Sequence, residues 1–259
     1  TAGWTQRAKL VAQDGAASDY FGWSVAISGD TVAVGAWADD DKGGDSGSAY
    51  IFARDVAGSL TAGWTQRAKL VAQDGAAEDR FGTSVAIDGD TVVVGATGDD
   101  DKGSDSGSVY VFTRDVAGSL TAGWTQRAKL VAGDGAVYDE FGHSVAIDGD
   151  TVVIGTPYDD DKGSNSGSAY VFTRDVAGSL TAGWTQRAKV VAVDGAANDQ
   201  FGYSVAISGD TVAVGAYADD DKGMDSGSVY VYYRAKDLII EDSTNSNNLR
   251  VGIGTNNPL

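Results

Sequence analysis

The sequence has no cysteine, two prolines and a single histidine among its 259 residues. Without cysteine, neither a disulfide bond nor a thiolate metal site contributes to the fold. Cysteine usage therefore does not indicate whether the protein works in an oxidising or a reducing compartment. No apolar run reaches the roughly eighteen residues of a membrane-spanning helix, so membrane insertion is not expected. The single histidine, His143, has no nucleophile in its pattern, which argues against acid–base catalysis.

Basic residues are also scarce. Lysine and arginine number 19 against 37 aspartates and glutamates, which gives a formal net charge of −18. Nucleic acid is therefore not an expected partner, because phosphate binding needs clustered Lys and Arg. Cations and cationic groups suit this surface better, although a high negative charge also serves solubility alone.

What the sequence has instead is repetition. The segment TAGWTQRAK begins at Thr1 and returns at Thr61, Thr121 and Thr181 with no insertion or deletion between copies. A fixed period of this length predicts that each copy is one supersecondary unit stacked on its neighbours. The predicted repeat domain is 1–234, with repeats 1–60, 61–120, 121–180 and 181–234, and the Asn- and Ser-rich stretch 235–259 is a tail or linker, an edge strand or the start of a stalk.

Each copy shows the two-residue alternation that is typical of β-strands. In the first copy it marks residues 4–11, 24–28, 31–36 and 48–54, which gives four strands. Gly-Asp between the second and third of these runs predicts a two-residue hairpin turn, and every later copy repeats it.

Four-stranded units that repeat head to tail fit an all-β propeller, whose blades are antiparallel sheets arranged radially. A linear β-solenoid is the alternative, but solenoid coils are usually much shorter than these repeats. In the first copy the alternation places Arg7 and Lys9 on the solvent side of the outer strand. The residues predicted to pack in the core are Val25, Ile27, Val32 and Val34.

The run FGWSVAISGDTVAVGAW, followed by GSAYIF, resembles the FG-GAP repeat of integrin α-subunit propellers and of many bacterial surface proteins. The match recurs in all four copies. The resemblance implies a β-propeller in which residues 24–28 are innermost and the strand that begins with tryptophan is outermost. Because the repeats then end on a third strand, the last sheet has an open edge that either residues 5–11 or residues 237–241 could fill. If residues 237–241 fill it, residues 5–11 are free to pair with another molecule.

The resemblance does not carry its calcium site into this chain. In integrin-like repeats calcium lies in a DxDxDG loop between the first two strands, where this sequence has only the Gly-Asp turn. Acidic residues cluster instead after the second strand, at alternate positions of a glycine-bearing loop, which suits a hard cation such as calcium. A solvated acidic turn is the alternative. The predicted metal ligands are Asp39, Asp41, Asp45, Asp99, Asp101, Asp105, Asp159, Asp161, Asn165, Asp219, Asp221 and Asp225.

Connections in an up-and-down blade alternate between two faces, so residues 12–23 and 37–47 share one face. The copies differ chiefly in these loops, whereas DVAGSLTAG in the opposite loop never changes. Variable loops on a constant frame are typical of a recognition face. Aromatic rings beside carboxylates suit sugars or cationic protein segments, while neutral variation, with Trp23 and Trp37 packing between blades, is the alternative. The predicted ligand-binding face comprises Tyr20, Trp23, Trp37, Tyr138, His143, Tyr158, Tyr203 and Tyr217.

The tail segment RVGIGTNNP resembles segments of bacterial surface and tail-fibre-like proteins, which implies a continuation into a stalk or fibre. Together these patterns predict an extracellular, bacterial-type cell-surface module that is not an enzyme and that recognises a glycan or a protein. The alternative function is a structural subunit of a surface fibre or filament that self-assembles through edge strands or the tail. Near-identical copies argue against catalysis, because chemistry needs one distinctive cluster.

Overall fold

The computed structural model describes residues 3–234, which form fifteen strands and no helix. Accordingly, this part of the chain contains no helix that is long and apolar enough to cross a bilayer. The strands are β1 (Ser24–Ser28), β2 (Thr31–Ala36), β3 (Ser48–Arg54), β4 (Trp64–Leu70), β5 (Phe81–Asp88), β6 (Thr91–Ala96), β7 (Ser108–Arg114), β8 (Trp124–Leu130), β9 (Ser144–Asp148), β10 (Thr151–Thr156), β11 (Ser168–Arg174), β12 (Trp184–Val190), β13 (Phe201–Ser208), β14 (Thr211–Ala216) and β15 (Ser228–Tyr233).

The strands pair into four antiparallel sheets in chain order. Sheet 1 contains β1 to β4, sheet 2 β5 to β8, sheet 3 β9 to β12, and sheet 4 the three strands β13 to β15. In sheet 1, Ser28 pairs with Thr31 across the predicted two-residue turn. Consecutive sheets meet through their first strands, β1 with β5, β5 with β9 and β9 with β13. The predicted all-β class, the four repeats and the strand order are therefore confirmed.

The fourth strand of each complete sheet comes from the following repeat. β4 begins at Trp64, in the second copy, and pairs with β3 of the first copy, and β8 and β12 behave in the same way. The corresponding segment of the first copy, residues 4–10, has no strand partner within residues 3–234, and β15 has none at its outer edge. The competing segment 237–241 lies outside the described residues, as does the rest of the tail.

The core lies between the sheets rather than within them. Phe81 is fully buried and packs edge-on against Tyr110 and Phe112, with ring centroids 5.4 and 5.9 Å apart. Around it, apolar side chains of sheet 2 meet small and branched side chains of sheet 1, including Ile51. Much of the buried core thus forms where one sheet packs on its neighbour, as expected of a repeat protein.

The prediction that Val25 and Ile27 pack in the core is wrong. Val25 is 67% exposed, whereas its counterpart Val85 in sheet 2 is 8% exposed. The reason is positional, because Val85 faces sheet 1 while no sheet precedes Val25 within residues 3–234. Of the two remaining core predictions, Val34 is buried and Val32 is half-buried.

The two predicted faces are confirmed by hydrogen bonds between the loops that share each face. On one face, the loop after β2 meets the loop before β5, where Glu78 N and Arg80 N donate to Gly44 O and Asp45 O at 2.8 and 3.0 Å. On the other face, Asp30 in the hairpin turn accepts a hydrogen bond from Gly58 N at 2.7 Å. The variable loops therefore lie together at one end of every sheet.

Candidate functional site

The first aromatic group on the variable face, cluster A, consists of Tyr20, Trp23 and Trp37. Tyr20 and Trp37 stack with centroids 5.3 Å apart and planes 5° from parallel, and Trp23 meets Trp37 edge-on at 5.9 Å. Tyr20 and Trp23 are more than half exposed. Stacking pre-orients these rings, so an incoming flat ligand surface meets a preformed apolar platform.

A cleft of about 310 Å³ opens beside cluster A. Its walls combine the two indoles of the cluster and a carboxylate of the same repeat with a guanidinium and hydroxyl groups of the neighbouring repeat. Its volume lies at the lower end of the roughly 300–1,000 Å³ typical of small-ligand sites. The cleft therefore offers an apolar floor, a carboxylate, a guanidinium and hydroxyls within one small volume. Its lining residues are Trp23, Trp37, Asp45, Arg80, Thr83 and Thr97.

A second aromatic group, cluster B, joins sheets 3 and 4. His143 lies 4.8 Å from Tyr203 and 6.0 Å from Tyr158, and Tyr203 lies 4.5 Å from Tyr217, all between ring centroids. His143 Nδ1 also lies 3.3 Å from a carboxylate oxygen of Glu140. The structure thus places seven of the eight predicted face residues in two clusters, whereas the eighth, Tyr138, is exposed and belongs to neither.

The loop that carries Tyr20 has the same unusual backbone in every copy. Tyr20 has φ 52°, and its counterparts Arg80, Glu140 and Gln200 have φ of 56°, 52° and 54°. Left-handed backbone costs a non-glycine residue of the order of 1 kcal/mol or more, and such strain gathers at functional sites. The copies keep the strained frame and change the side chain that it presents, which favours a recognition face over neutral variation.

The predicted calcium ligands are only partly brought together. Asp39 and Asp41 converge with Asp14, but Asp45 lies elsewhere, with its backbone N–H donating to Asp40 Oδ1 at 2.9 Å. Sequence reasoning missed Asp14 because it precedes the glycine-bearing loop. The same grouping recurs in the second copy as Asp74, Asp99 and Asp101.

A lysine ammonium lies at the centre of each such group. Lys69 Nζ lies 2.7, 3.0 and 2.7 Å from carboxylate oxygens of Asp14, Asp39 and Asp41. Lys129 and Lys189 occupy the same place in the next two repeats, 2.7 to 2.9 Å from their three aspartates. A divalent ion would have to displace this cation, so the donor set fits lysine better than calcium.

Calcium binding stays a prediction that a titration can test. An ion that binds only the native chain raises the Tm with its concentration. A rising Tm on adding calcium, reversed by chelation, would show that a site exists. An unchanged Tm would leave lysine as the cation of these acidic groups.

Regular alternation along the strand would place these lysines in solvent. A β-bulge explains why they face the acidic groups instead. In β4, Ala68 pairs with Ile51 but Gln66 pairs with Phe52, so Arg67 is the extra residue. One extra residue reverses the facing of everything beyond it. Lys69 therefore comes opposite Tyr50, on the same face as Trp64, and enters the acidic group instead of solvent. Arg7 and Lys9 themselves are exposed, as predicted, but the same placement does not hold for the equivalent Lys69 in a repeat that completes a sheet.

A second buried carboxylate in each copy holds the loop before the first strand. Asp79 Oδ2 accepts a hydrogen bond from Ala76 N at 2.7 Å, and Asp139 does the same for Ala136. Burial raises the pKa of Asp79 to about 6, with the nearby Asp99 charge adding to it, and the pKa of Asp139 also rises to about 6 by burial. Both side chains are therefore costly when ionised.

These two groups predict an unusual pH dependence. The pKa of each is raised from 3.8 to about 6 on folding, so the folded chain binds more protons between those values. The contribution of these two carboxyls to the free energy of unfolding is greatest below about pH 4. It decreases as the pH rises to about 6, by up to about 2 kcal/mol per group. We expect the Asp79→Asn, Asp139→Asn variant to lose this slope in urea unfolding, because asparagine keeps the acceptor without the charge.

The control is Glu78→Gln, an exposed carboxylate beside Asp79. Its slope between pH 4 and 6 should match the unsubstituted chain. Equal slopes in the control and the double variant would contradict the assignment.

Comparison with known proteins gives one family. The model of the FG-GAP repeat matches residues 4–52, 64–112, 124–172 and 184–232, four tandem matches that cover most of the chain. No curated protein matches the sequence. Each match ends within the third strand of its sheet, and so takes in both loops of the variable face.

Proposed function

Because the chain belongs to the FG-GAP repeat family, we propose that it is a non-catalytic binding domain of a cell surface that recognises a glycan. Repeats of this family suggest a binding or adhesion role and are generally not catalytic. The finer proposal is that recognition occurs on the variable face of a propeller, on the outside of a bacterial-type cell. A protein segment is the alternative ligand.

One observation carries the proposal, the aromatic cleft beside cluster A. Sugar rings present apolar C–H faces and a rim of hydroxyls, so they match an indole platform bordered by charged acceptors and donors. Trp23 and Trp37 provide the platform, and Asp45 and Arg80 provide the charged groups at its edge. A flat protein-binding surface would need a larger area than this cleft gives, since stable interfaces bury roughly 800 Å² per partner.

Cluster B gives the same face a second, more polar platform. Its three tyrosines present hydroxyls where cluster A presents indoles, and Glu140 stands beside it as Asp45 stands beside cluster A. Sheet 2 contributes Thr83 and Thr97 between the clusters. Two unlike platforms on one rigid frame suit an extended glycan that contacts more than one repeat, where linked contacts raise the overall affinity.

Replacing Trp23 and Trp37 with alanine should weaken glycan binding strongly. Each indole contributes apolar area and stacking worth about 0.5–1.5 kcal/mol beyond burial, so their joint loss should weaken binding by at least roughly 10-fold. The measurement is binding of the labelled chain to an array of defined glycans, followed by titration of the glycans that bind.

The matched control is Tyr138→Ala, an exposed aromatic on the same face but outside both clusters. It should leave binding and Tm unchanged. If the double variant binds as well as the unsubstituted chain, or if both variants lose binding equally, cluster A is not the site. If no glycan on the array binds, the alternative ligand, a protein segment, is favoured.

A further inference from the structure

We propose that the strand missing from sheet 4 is supplied by residues 4–10 of a second copy of this chain, joining copies head to tail. The inference does not depend on glycan recognition. Its starting point is an identity of sequence: residues 4–10 read WTQRAKL, as do β4 and β8. β4 and β8 complete sheets, whereas residues 4–10 have no strand partner within residues 3–234.

The edge of β15 offers the register that this strand needs. In sheet 3, Tyr170 pairs with Lys189 and Arg174 with Trp184. The equivalent residues of β15 and the segment that follows it are Tyr230 and Arg234. Transferred to sheet 4, the pattern sets Lys9 opposite Tyr230 and Trp4 opposite Arg234, with the bulge at Arg7.

Charge complementarity supports this register. Tyr230 Oη donates to Asp194 and Asp219 at 3.0 and 2.8 Å, the arrangement that Tyr170 has with Asp134 and Asp159. In sheet 3, Lys189 sits among those aspartates, but no lysine within residues 3–234 joins the group in sheet 4. Lys9 holds the matching place in the incoming strand and would supply the cation.

Three further contacts lack their partner in the same way. Arg174 lies 4.5 Å above the ring of Trp184, while the matching pair would be Arg234 with the fully exposed Trp4. Gly133 N donates to Gln186 at 3.0 Å, and the matching donor, Val193 N, would meet Gln6. Arg174 Nη2 donates to Thr91 of the preceding sheet at 2.9 Å, which matches Arg54 with Thr211 of the neighbouring copy.

The two outer faces of the array are also complementary. Val229 is 70% exposed while its counterpart Val109 is fully buried against sheet 3, and Val231 is exposed where Val111 is fully buried. At the other end, Val25 and Ile27 are exposed where sheet 2 has Val85 and Ile87 packed on sheet 1. Seating sheet 1 of one copy on sheet 4 of another would continue an interface that the chain already makes between its own sheets.

A second copy is the occupant that we propose, because residues 4–10 are held on sheet 1 and do not pair with β15 of the same chain in the structure. Leu10 and Ala12 pack against the cluster of Tyr50 and Phe52, as Leu70 and Ala72 pack in sheet 2. By this analogy, residues 4–10 would pair with a sheet that packs on the Val25 side of sheet 1. Such head-to-tail contacts either close into rings or extend into filaments.

The test is the mass of the 259-residue chain measured by light scattering over a range of concentrations. The unsubstituted chain should form concentration-dependent assemblies. Lys9→Glu, which blocks the donor strand, should weaken association by roughly 100-fold, because it sets a fourth negative charge beside Asp194, Asp219 and Asp221, of which Asp219 is buried. Lys42→Glu, an exposed lysine with the same change of charge, should assemble normally.

Mixing two blocked variants gives the sharper result. Val231→Asp blocks the acceptor face, so it and Lys9→Glu should each be monomeric, and their mixture should yield dimers with a single junction. Carbodiimide cross-links between Lys9 and Asp221 should then join labelled to unlabelled copies. Four outcomes would overturn the proposal: a monomer at every concentration, a cross-link only within one copy, no effect of Lys9→Glu, or loss of assembly in Ile239→Asp alone, which would assign the edge to residues 237–241.

Discussion

Replacing Lys129 with methionine is expected to destabilise the chain by about 2–3 kcal/mol, because it leaves the buried Asp99 carboxylate without its cation, whereas Asp74 and Asp101 are about half exposed. Lys129 Nζ lies 2.8, 2.9 and 2.7 Å from oxygens of Asp74, Asp99 and Asp101. Burial opposes its charge, but hydrogen bonds to these three carboxylates outweigh burial and raise the pKa of Lys129. Urea unfolding at pH 7 measures the loss.

Two comparisons make this result specific. Lys102→Met changes an exposed lysine of the neighbouring loop and should alter the free energy of unfolding by no more than about 0.5 kcal/mol. In Lys129→Met, acid should restore stability, since protonation removes the repulsion among the three carboxylates. A variant that is equally destabilised at pH 4 and pH 7 would show that lost packing, rather than charge, is responsible.

The second large effect is expected for Gly95→Ala, at about 3 kcal/mol or more of lost stability. A Cβ on Gly95 would collide with the backbone oxygen of Gly142 in the next repeat and with Ser84 Oγ. The Gly142 backbone is fixed by the sheet interface and cannot yield as a flexible side chain would. Calorimetric or urea unfolding gives the measurement.

The repeats supply matched controls for this substitution. Gly215 is the same position in sheet 4, where the added Cβ would meet Ser204 but no backbone of a following repeat. Gly44 has open space and no positive φ. We therefore expect the loss to decrease from Gly95→Ala to Gly215→Ala to Gly44→Ala. At concentrations where the chain is monomeric, equal losses at Gly95 and Gly215 would contradict the account of how consecutive sheets meet.

The fold could be predicted from the sequence because its signals are local. The Gly29-Asp30 turn fixes the register of β1 with β2, since Ser28 must then pair with Thr31. The period of the repeats fixes the rest, because every copy repeats the same turn and strands. Such local signals do not depend on which neighbour a sheet has.

Burial and contact between repeats could not be read in the same way. Val25 and Val85 occupy the same place in identical SVAI runs, yet one is exposed and the other is packed on a neighbouring sheet. The sequence of a repeat does not state whether another repeat covers it. The bulge at Arg67 could not be predicted from the sequence either, because WTQRAKL alternates regularly. Only the pairing with β3 shows that Lys69 faces inward.

The site was predictable in its residues but not in its grouping. Variation between copies identified Tyr20, Trp23 and Trp37, and the structure stacks them into one cluster. Tyr138 varies as they do and stands apart, since its neighbours carry no ring within reach. Arg80 was not among the predicted residues, although it differs between copies and lines the cleft beside Trp37.

The most direct test of the central claim is a crystal structure of the chain bound to a glycan selected on the array. The proposed function predicts a sugar ring over Trp23 and Trp37, with hydroxyls within hydrogen-bond distance of Asp45 or Arg80. A glycan bound instead at the opposite face, among the unchanging DVAGSLTAG loops, would contradict it.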